Sequence, residues 1–354
     1  MRFDLDGIAR ENIKHLTPYS SARSETDGIG CVLLDANENS FGSPLGGELH
    51  RYPDPYQLEI KKRIAVMNHV DQSEIFIGNG SDEAIDLLFR IFCRPARDNV
   101  IVCPPTYGMY EVSAAINDIE VRRANLTKDF QLDTAAVQEQ EDGNTKLAFI
   151  CSPNNPTGNC TAREEIFKLA ENFRCIVVVD EAYIHFSDSP SLVNEIKRLP
   201  NLVVLQTFSK AWGLAGLRVG VAFANKNLIA YLNKIKPPYN VSRAAQELLL
   251  SALIDSSKLD ETIRETIEQR ETLVQALSEL SFVRTVYPSD ANFLLVRCEK
   301  PVETREYLLD RNIIVRDRST VELCHGCLRI TVGTSEENSL LIDALKDYEK
   351  SIVH

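Results

Sequence analysis

The segment Cys175-Ile176-Val177-Val178-Val179 is a continuous apolar run that ends abruptly at the acidic pair Asp180-Glu181. A strand with one face in water alternates apolar and polar residues, whereas this run is apolar at every position. Such runs are typical of strands that are buried on both faces, as in a parallel sheet covered by helices. The segment therefore predicts an interior strand with a carboxylate at its C-terminal end.

Similar runs occur on both sides of this segment, separated by amphipathic stretches, and they cover residues 74–77, 99–103, 146–151 and 202–205. This alternation predicts an α/β fold with a mostly parallel central sheet flanked by helices. After Pro237-Pro238 the pattern changes to two long helical stretches, two alternating strand-like runs and a closing helix, which predicts a smaller α+β C-terminal domain. We therefore expect an N-terminal arm over residues 1–30, a large domain over 31–240 and a small domain over 241–354.

The composition excludes several classes of protein. The chain has 354 residues, of which 44% are hydrophobic and 25% charged, and its formal net charge is −12. This apolar content can offset the chain entropy lost on folding, so an ordered globular protein is expected. Because phosphate backbones and anionic lipids repel a chain with this charge, no nucleic-acid or membrane partner is expected. No apolar run approaches the ~20 residues of a membrane-spanning helix.

Cysteine and histidine usage predicts a cytoplasmic protein without a metal site. The nine cysteines are scattered and odd in number, as expected of reduced thiols. Cys324-His325-Gly326-Cys327 has the C-x-x-C spelling of a redox motif, but a strand-like run follows it instead of a helix, which favours a hairpin tip. No second cysteine pair completes a zinc site, and the acidic residues near Met1 argue against a secretory signal.

Unusual polar residues follow several of the strand-like runs. Because ligands bind at the carboxyl ends of strands in open α/β sheets, we expect these residues to converge in space. They are found in Gly78-Asn79-Gly80-Ser81, Asn155-Pro156-Thr157-Gly158, Asp180-Glu181-Ala182-Tyr183 and Thr207-Phe208-Ser209-Lys210.

Taken one at a time, these features have structural as well as functional interpretations. Residues 78–81 fit a phosphate-binding loop and a plain turn equally well, and the third glycine of a dinucleotide-binding motif is missing. Asp180 could cap a helix, or it could pair with a buried cation or a protonated ring nitrogen. A lysine such as Lys210 is usually a solvated charge, yet burial near Arg218 would lower its pKa and make it a nucleophile.

Taken together, the motifs resemble the class I/II aminotransferases, which are fold-type I pyridoxal-phosphate enzymes. The resemblance rests on Asn155-Pro156-x-Gly158, Asp180-x-x-Tyr183, Ser209-Lys210-(x)7-Arg218 and Arg329, and it extends over nearly the whole chain, from Leu34 to Thr334. Within this superfamily the sequence is most similar to the histidinol-phosphate aminotransferase family. The segments that carry this closer similarity are Leu16-Thr17-Pro18-Tyr19, Arg51-Tyr52-Pro53-Asp54-Pro55, residues 78–83, Asp180-Glu181-Ala182-Tyr183 and Ala215-Gly216-Leu217-Arg218.

The resemblance implies pyridoxal 5'-phosphate as the cofactor and assigns its contacts. Lys210 is implied to form a Schiff base with the cofactor and to shuttle a proton, while Asp180 pairs with the pyridinium nitrogen. Asn155 and Tyr183 are implied to hydrogen-bond the phenolic oxygen, Tyr183 also being assigned to catalysis. The other implied contacts are Ser81, Asp82, Thr207, Ser209 and Arg218 at the phosphate, Tyr107 stacked on the ring, and Tyr52 of the partner subunit at the phosphate.

The same resemblance implies the substrates and a homodimer with shared active sites. The reaction would be ping-pong amino transfer between L-histidinol phosphate with 2-oxoglutarate and imidazole-acetol phosphate with L-glutamate, in histidine biosynthesis. Arg329 is expected to bind the α-carboxylate of glutamate by bidentate pairing, and Arg329, Arg316 and Tyr19 are candidates for the substrate phosphate. Asn37 and Asn155 complete the implied substrate contacts.

Three alternative functions are compatible with part of the sequence. An aromatic amino-acid aminotransferase and a threonine-phosphate decarboxylase would both keep Lys210 and differ in the distal pocket, near Tyr19, Arg316 and Tyr239-Asn240. A cofactor-dependent transcriptional regulator would need an added DNA-binding segment. Neither the length nor the acidic balance of the chain leaves room for one.

Overall fold

The apolar runs form the interior strands of a seven-stranded sheet with the order β1-β7-β6-β5-β4-β2-β3. The computed structural model describes residues 3–21 and 31–352; residues 1–2, 22–30 and 353–354, which include part of the predicted N-terminal arm, lie outside the described residues. The strands are β1 (Ile75–Gly78), β2 (Asn99–Val102), β3 (Glu120–Arg123), β4 (Thr145–Cys151), β5 (Ile176–Asp180), β6 (Leu202–Thr207) and β7 (Gly220–Ala224).

The sheet is mostly parallel, which confirms the predicted fold class. β3, β2, β4, β5 and β6 are parallel neighbours, and β7 runs antiparallel to both β6 and β1. Two of its strands were not predicted. β3 is an edge strand of sequence Glu-Val-Arg-Arg without a fully buried residue, and β7 follows β6 through a loop that contains Lys210 and Arg218.

Helices cover both faces of this sheet, and three α-helices of the described residues precede its first strand. The helices of the described chain are α1 (Leu5–Ile8), α2 (Glu11–Lys14), α3 (Leu58–Asn68), α4 (Ser81–Phe92), α5 (Met109–Ile116), α6 (Thr134–Gln140), α7 (Arg163–Asn172), α8 (Lys226–Ile235), α9 (Arg243–Ile254), α10 (Ser257–Ser278), α11 (Pro301–Leu309) and α12 (Ser335–Ile352). Short 3-10 helices span Gln72–Glu74, Ile184–Phe186, Leu192–Glu195 and Ala215–Leu217. None of the helices in residues 3–21 and 31–352 is long and apolar enough to cross a membrane.

The central strand β5 explains why the apolar runs are continuous. Val177 and Val179 pack into one hydrophobic core with α7, while Ile176 and Val178 pack into a second core, with α4, on the other face. All five residues of β5 are buried. Alternate side chains of a strand point to opposite faces, so burial on both faces requires an apolar residue at every position.

The C-terminal part of the chain forms a second, antiparallel sheet with the order β10-β11-β9-β8. Its strands are β8 (Val283–Val286), β9 (Phe293–Cys298), β10 (Arg316–Asp317) and β11 (Cys327–Thr331). Leu294, Leu328 and Leu341 belong to a hydrophobic core of their own, formed by this sheet with α10, α11 and α12. The division into a large domain over residues 31–240 and a small domain over 241–354 stays a prediction: this core begins at Leu273, whereas Val241, Ala245, Leu249 and Leu253 pack into a core of the large sheet.

Gly220 allows β7 to run close to the start of α4. A Cβ atom added at Gly220 would clash with the amide nitrogen of Ser81 and the carbonyl carbon of Gly80. Because both atoms belong to the backbone, no rotamer change relieves the contact. We expect Gly220→Ala to lower the free energy of unfolding by about 3 kcal/mol, measured by denaturant titration. Gly143→Ala is the matched control, since nothing lies within 4 Å of its added Cβ; equal stability of the two variants would contradict this account.

Candidate active site

The loops that follow three parallel strands meet at one edge of the large sheet. Asn155 follows β4, Asp180 ends β5, and Lys210 follows β6. Asp180 is in register with Cys151 of β4 and with Leu205 of β6, so the three strands end side by side. The parallel sheet therefore brings together residues that are far apart in the sequence.

An inner compartment of about 190 Å³ lies at this edge. It is lined by ten of the residues proposed from the sequence as cofactor contacts: Ser81, Asp82, Tyr107, Asn155, Asp180, Tyr183, Thr207, Ser209, Lys210 and Arg218. Cys151 and Ala182 complete the lining. An outer compartment of about 540 Å³ shares Tyr107, Asn155, Tyr183 and Lys210 with the inner one. Lys210 thus lies at the boundary between two cavities.

Asp180 is a buried carboxylate at the inner compartment. The Tyr110 hydroxyl donates a hydrogen bond to its Oδ2 at 2.8 Å, and the amide of Ala182 donates to its Oδ1 at 3.1 Å. Burial raises the pKa of Asp180 to about 6 despite these two bonds. Within residues 3–21 and 31–352 no basic side chain forms an ion pair with it. A buried carboxylate in this situation favours a cationic ligand, and a protonated ring nitrogen fits this requirement.

Another part of the inner compartment is suited to an anion. It is formed by the N-terminus of α4, the hydroxyl groups of Thr207 and Ser209, and the guanidinium of Arg218. Arg218 Nη1 donates to Ser209 Oγ at 3.2 Å, and Arg218 itself has a left-handed backbone with φ of 55°. Gly80 has φ of +79°, and a Cβ there would lie 2.8 Å from Arg218 Nη2. A side chain at Gly80 would therefore fill the space that the anion needs.

Lys210 has an environment that favours a neutral amine. Burial lowers its pKa, and the positive charges of Arg329 and Arg218 lower it further. Its Nζ lies 5.6 Å from the centre of the Tyr183 ring. A lysine with a lowered pKa has more of the unprotonated, nucleophilic form near neutral pH.

A hydrogen-bonded group of side chains connects the two compartments. Asn155 Nδ2 donates to Tyr183 Oη at 3.5 Å, and Arg329 Nη1 donates to Asn155 Oδ1 at 2.6 Å. Burial is the main cause that raises the pKa of Tyr183, so its hydroxyl stays protonated. Arg329 lies on β11 directly opposite Arg316 of β10. The second sheet thus supplies the cationic wall of the outer compartment, which faces the amine of Lys210.

Three residues proposed from the sequence line neither compartment of their own chain. Tyr19 is 79% exposed and lines a different cavity, beside Lys236. Tyr52 is exposed and stacks on Tyr239, with 4.4 Å between the ring centres. Asn37 is exposed and has φ of 53°. Their functional assignments therefore stay predictions.

Sequence reasoning missed two residues of the site, Tyr110 and Arg318. Tyr110, on α5, donates a hydrogen bond to Asp180 and lies three residues after Tyr107. Arg318 lines the outer compartment two residues after Arg316. Helical and strand spacing from residues already proposed could have found both.

Comparison with known proteins identifies close relatives over the whole chain. The model of the family described as aminotransferase class I and II matches residues 29–345. A histidinol-phosphate aminotransferase from Cytophaga hutchinsonii is 50% identical over 348 residues, which are 98% of this chain and 100% of the relative.

Solved structures share the fold. L-threonine-O-3-phosphate decarboxylase from Porphyromonas gingivalis has a TM-score of 0.74 at 28% identity, with coverage of 85% of this chain and 91% of that one. Histidinol-phosphate aminotransferase from Sinorhizobium meliloti, in complex with pyridoxal-5'-phosphate, has a TM-score of 0.78 at 24% identity, with coverage of 97% of both chains. These similarities confirm the predicted fold-type I architecture.

Proposed function

This chain belongs to the class I and II aminotransferase family, and we propose that it transfers an amino group between L-histidinol phosphate with 2-oxoglutarate and imidazole-acetol phosphate with L-glutamate, in histidine biosynthesis. One observation carries the proposal: Lys210 lies between a compartment with Asp180 and Arg218 and a second compartment lined by arginines. The first fits pyridoxal 5'-phosphate. The second fits the anionic ends of a phosphomonoester and a dicarboxylate.

The inner compartment offers a partner for each polar part of the cofactor. When bound, pyridoxal 5'-phosphate supplies a carbonyl carbon for the amino group and a ring that withdraws electrons from the substrate Cα. Asp180 would keep the ring nitrogen protonated, and Arg218 with the N-terminus of α4 would hold the phosphate. Asn155 and Tyr183 would donate to the phenolic oxygen. Ser81, Asp82, Tyr107, Thr207 and Ser209 would complete the contacts.

Lys210 is the group we propose for both covalent attachment and proton transfer. Its lowered pKa favours nucleophilic attack on a carbonyl carbon, and once released the same amine can take a proton from the substrate Cα and return it. Arg329 would orient the substrate so that Cα faces Lys210, because its guanidinium is fixed by the hydrogen bond to Asn155.

A homodimer with shared active sites is part of the proposal. Tyr52 and Tyr19 are exposed aromatic side chains, and Val32, Leu34, Phe41 and Leu45 are each at least 81% exposed. Exposed apolar side chains in this part of the surface support contact with another chain. Through it Tyr52 would contact the cofactor phosphate in the partner, with Tyr19 and Asn37 near the substrate.

A cytoplasmic location is also proposed, supported by the eight free thiols from Cys93 to Cys327.

The alternative function is decarboxylation of threonine phosphate. It is supported by the similarity, at 28% identity, to the Porphyromonas gingivalis enzyme. Both substrates carry a phosphate, so the arginines alone do not separate the two reactions. Only the aminotransferase converts 2-oxoglutarate to glutamate.

The test mixes the purified holoenzyme with histidinol phosphate and 2-oxoglutarate, and measures glutamate and carbon dioxide. We expect stoichiometric glutamate and no carbon dioxide. Threonine phosphate is supplied in a parallel assay, in which no carbon dioxide is expected. Release of carbon dioxide from threonine phosphate, without glutamate formation from histidinol phosphate, would refute the proposal in favour of the decarboxylase.

A further inference from the structure

Three arginines line the outer compartment, and we call Arg316, Arg318 and Arg329 the arginine cluster. In the described part of the chain none of the three forms an ion pair with a carboxylate. Glu111 and Glu322 also line this compartment, but Glu111 pairs with Arg123 at 2.8 Å and Glu322 accepts a hydrogen bond from Asn125. The cluster therefore presents excess positive charge to the cavity, which a ligand with two negative charges would offset.

Arg318 has an unused donor in this cluster. Its Nε is buried and has no hydrogen-bond partner, and the residue as a whole is partly buried. Its backbone is fixed, because the amide of Arg318 donates to the carbonyl of Cys327 at 2.8 Å. A buried guanidinium donor without a partner is costly, so the arrangement favours an anionic acceptor from a ligand.

The three arginines differ in their contacts with the rest of the site. Arg329 contacts Asn155, which lines both compartments, and the charge of Arg329 lowers the pKa of Lys210. Arg318 and Arg316 act instead on Arg329, whose pKa they lower together with burial. Of the three, Arg329 thus contacts a residue that both compartments share, whereas Arg318 lines the outer compartment alone.

The two substrates of the proposed reaction place their anionic groups at different distances from Cα. The α-carboxylate of glutamate is bonded directly to Cα, whereas a CH2–O unit separates Cα from the phosphate of histidinol phosphate. An α-carboxylate therefore reaches Arg329, while a phosphate extends past it and presents more acceptor oxygens.

From this we propose that Arg318 is a specificity-determining residue, which binds the phosphate of the phosphorylated substrate and contributes little to binding of glutamate. The inference rests on the proposed function for the identity of the phosphomonoester. In this assignment Arg329 binds the α-carboxylate by bidentate pairing, and Arg318 binds the outer oxygens of the phosphate. Arg316 lies opposite Arg329 on the neighbouring strand.

The test compares Arg318→Gln and Arg318→Lys with the wild-type holoenzyme in the two half-reactions, followed separately by the absorbance of the bound cofactor. We expect Arg318→Gln to lower kcat/KM for histidinol phosphate by about 10- to 100-fold, mainly through KM, and that for glutamate by less than about threefold. Arg318→Lys keeps the charge without the guanidinium fork, so it should retain an intermediate efficiency. Arg264→Gln, at an exposed arginine of α10 that lines neither compartment, is the matched control.

A binding measurement separates this inference from the proposed function. Inorganic phosphate is tested as a competitive inhibitor of the glutamate half-reaction in the holoenzyme, where the cofactor occupies the inner anion site. We expect its inhibition constant to rise about tenfold or more in Arg318→Gln. Equal losses in both half-reactions, or unchanged inhibition by phosphate, would overturn the role of Arg318. Failure of the wild-type enzyme to react with histidinol phosphate would overturn the proposed function, and phosphate inhibition would still test Arg318.

Discussion

Lys210→Ala is expected to lower amino transfer by roughly 10⁵- to 10⁶-fold, the largest effect expected of any single substitution in this chain. The change removes the amine at the boundary of the two compartments, and with it both covalent attachment of the cofactor and proton transfer at Cα. Burial and the charges of Arg329 and Arg218 prepare this amine by lowering its pKa. Turnover and the visible absorbance of the attached cofactor are measured together, and both should be lost.

Lys210→Arg provides the matched comparison, because it keeps a positive charge at the same place without a nucleophilic amine. It should be as inactive as Lys210→Ala. Lys197→Ala, at an exposed lysine near Glu74, should keep wild-type activity. If chemical reduction still fixed the cofactor covalently to the Lys210→Ala protein, another lysine would attach it, and the assignment of Lys210 would be wrong.

The sheet was predictable because burial on both faces leaves a continuous apolar run. β5 shows this most clearly, since its residues fill two hydrophobic cores on opposite faces. β3 lies at the sheet edge with charged side chains, so its pattern does not differ from that of a loop. β7 was missed because its short run follows directly after the polar loop that begins at Lys210.

The inner compartment was predictable for a related reason. Its residues follow predicted strands, and parallel strands place their carboxyl ends at one edge. Tyr110 and Arg318 belong to none of the motifs, and only their spacing from Tyr107 and Arg316 points to them, because Tyr110 acts through its contact with Asp180 and Arg318 through the outer compartment. Tyr19 lines another cavity and Tyr52 stacks on Tyr239, and the roles proposed for them assume chain association, which single-chain periodicity does not encode.

The acidic charge of the chain and its anion sites are compatible. The formal net charge of −12 belongs to the whole chain, and the expectation that no polyanionic partner binds rests on it. The inner site concentrates Arg218 and a helix N-terminus, and the outer site concentrates the arginine cluster. Interactions at these sites act over a few ångströms in partly desolvated cavities, where local charges outweigh distant ones.

Asp180→Asn is expected to lower amino transfer by at least about 10²- to 10³-fold, through loss of the negative charge beside the cofactor ring. The amide keeps the shape of the side chain and can still accept a hydrogen bond from Tyr110. It cannot hold a ring nitrogen in its protonated form, so electron withdrawal from Cα is weakened. Steady-state kcat/KM is measured with cofactor in excess, and Asp98→Asn, at a buried aspartate away from both compartments, is the control.

The same substitution should stabilise the cofactor-free protein at neutral pH, which distinguishes an electrostatic role from a structural one. Burial raises the pKa of Asp180 from 3.8 to about 6, so the folded state binds the proton more tightly than the unfolded state does. Stability from this group is therefore present below pH ~4, falls as the pH rises from ~4 to ~6, and is lost above that range. This difference in pKa corresponds to about 3 kcal/mol, which is an upper bound for the increase in the free energy of unfolding that Asp180→Asn brings at pH 8.

Denaturant unfolding of both cofactor-free proteins between pH 4 and pH 8 should give free energies of unfolding that agree at the acid end and diverge towards pH 8. A variant that is less stable than the wild type at every pH would mean that Asp180 supports the fold, and the lost activity could not then be assigned to its charge.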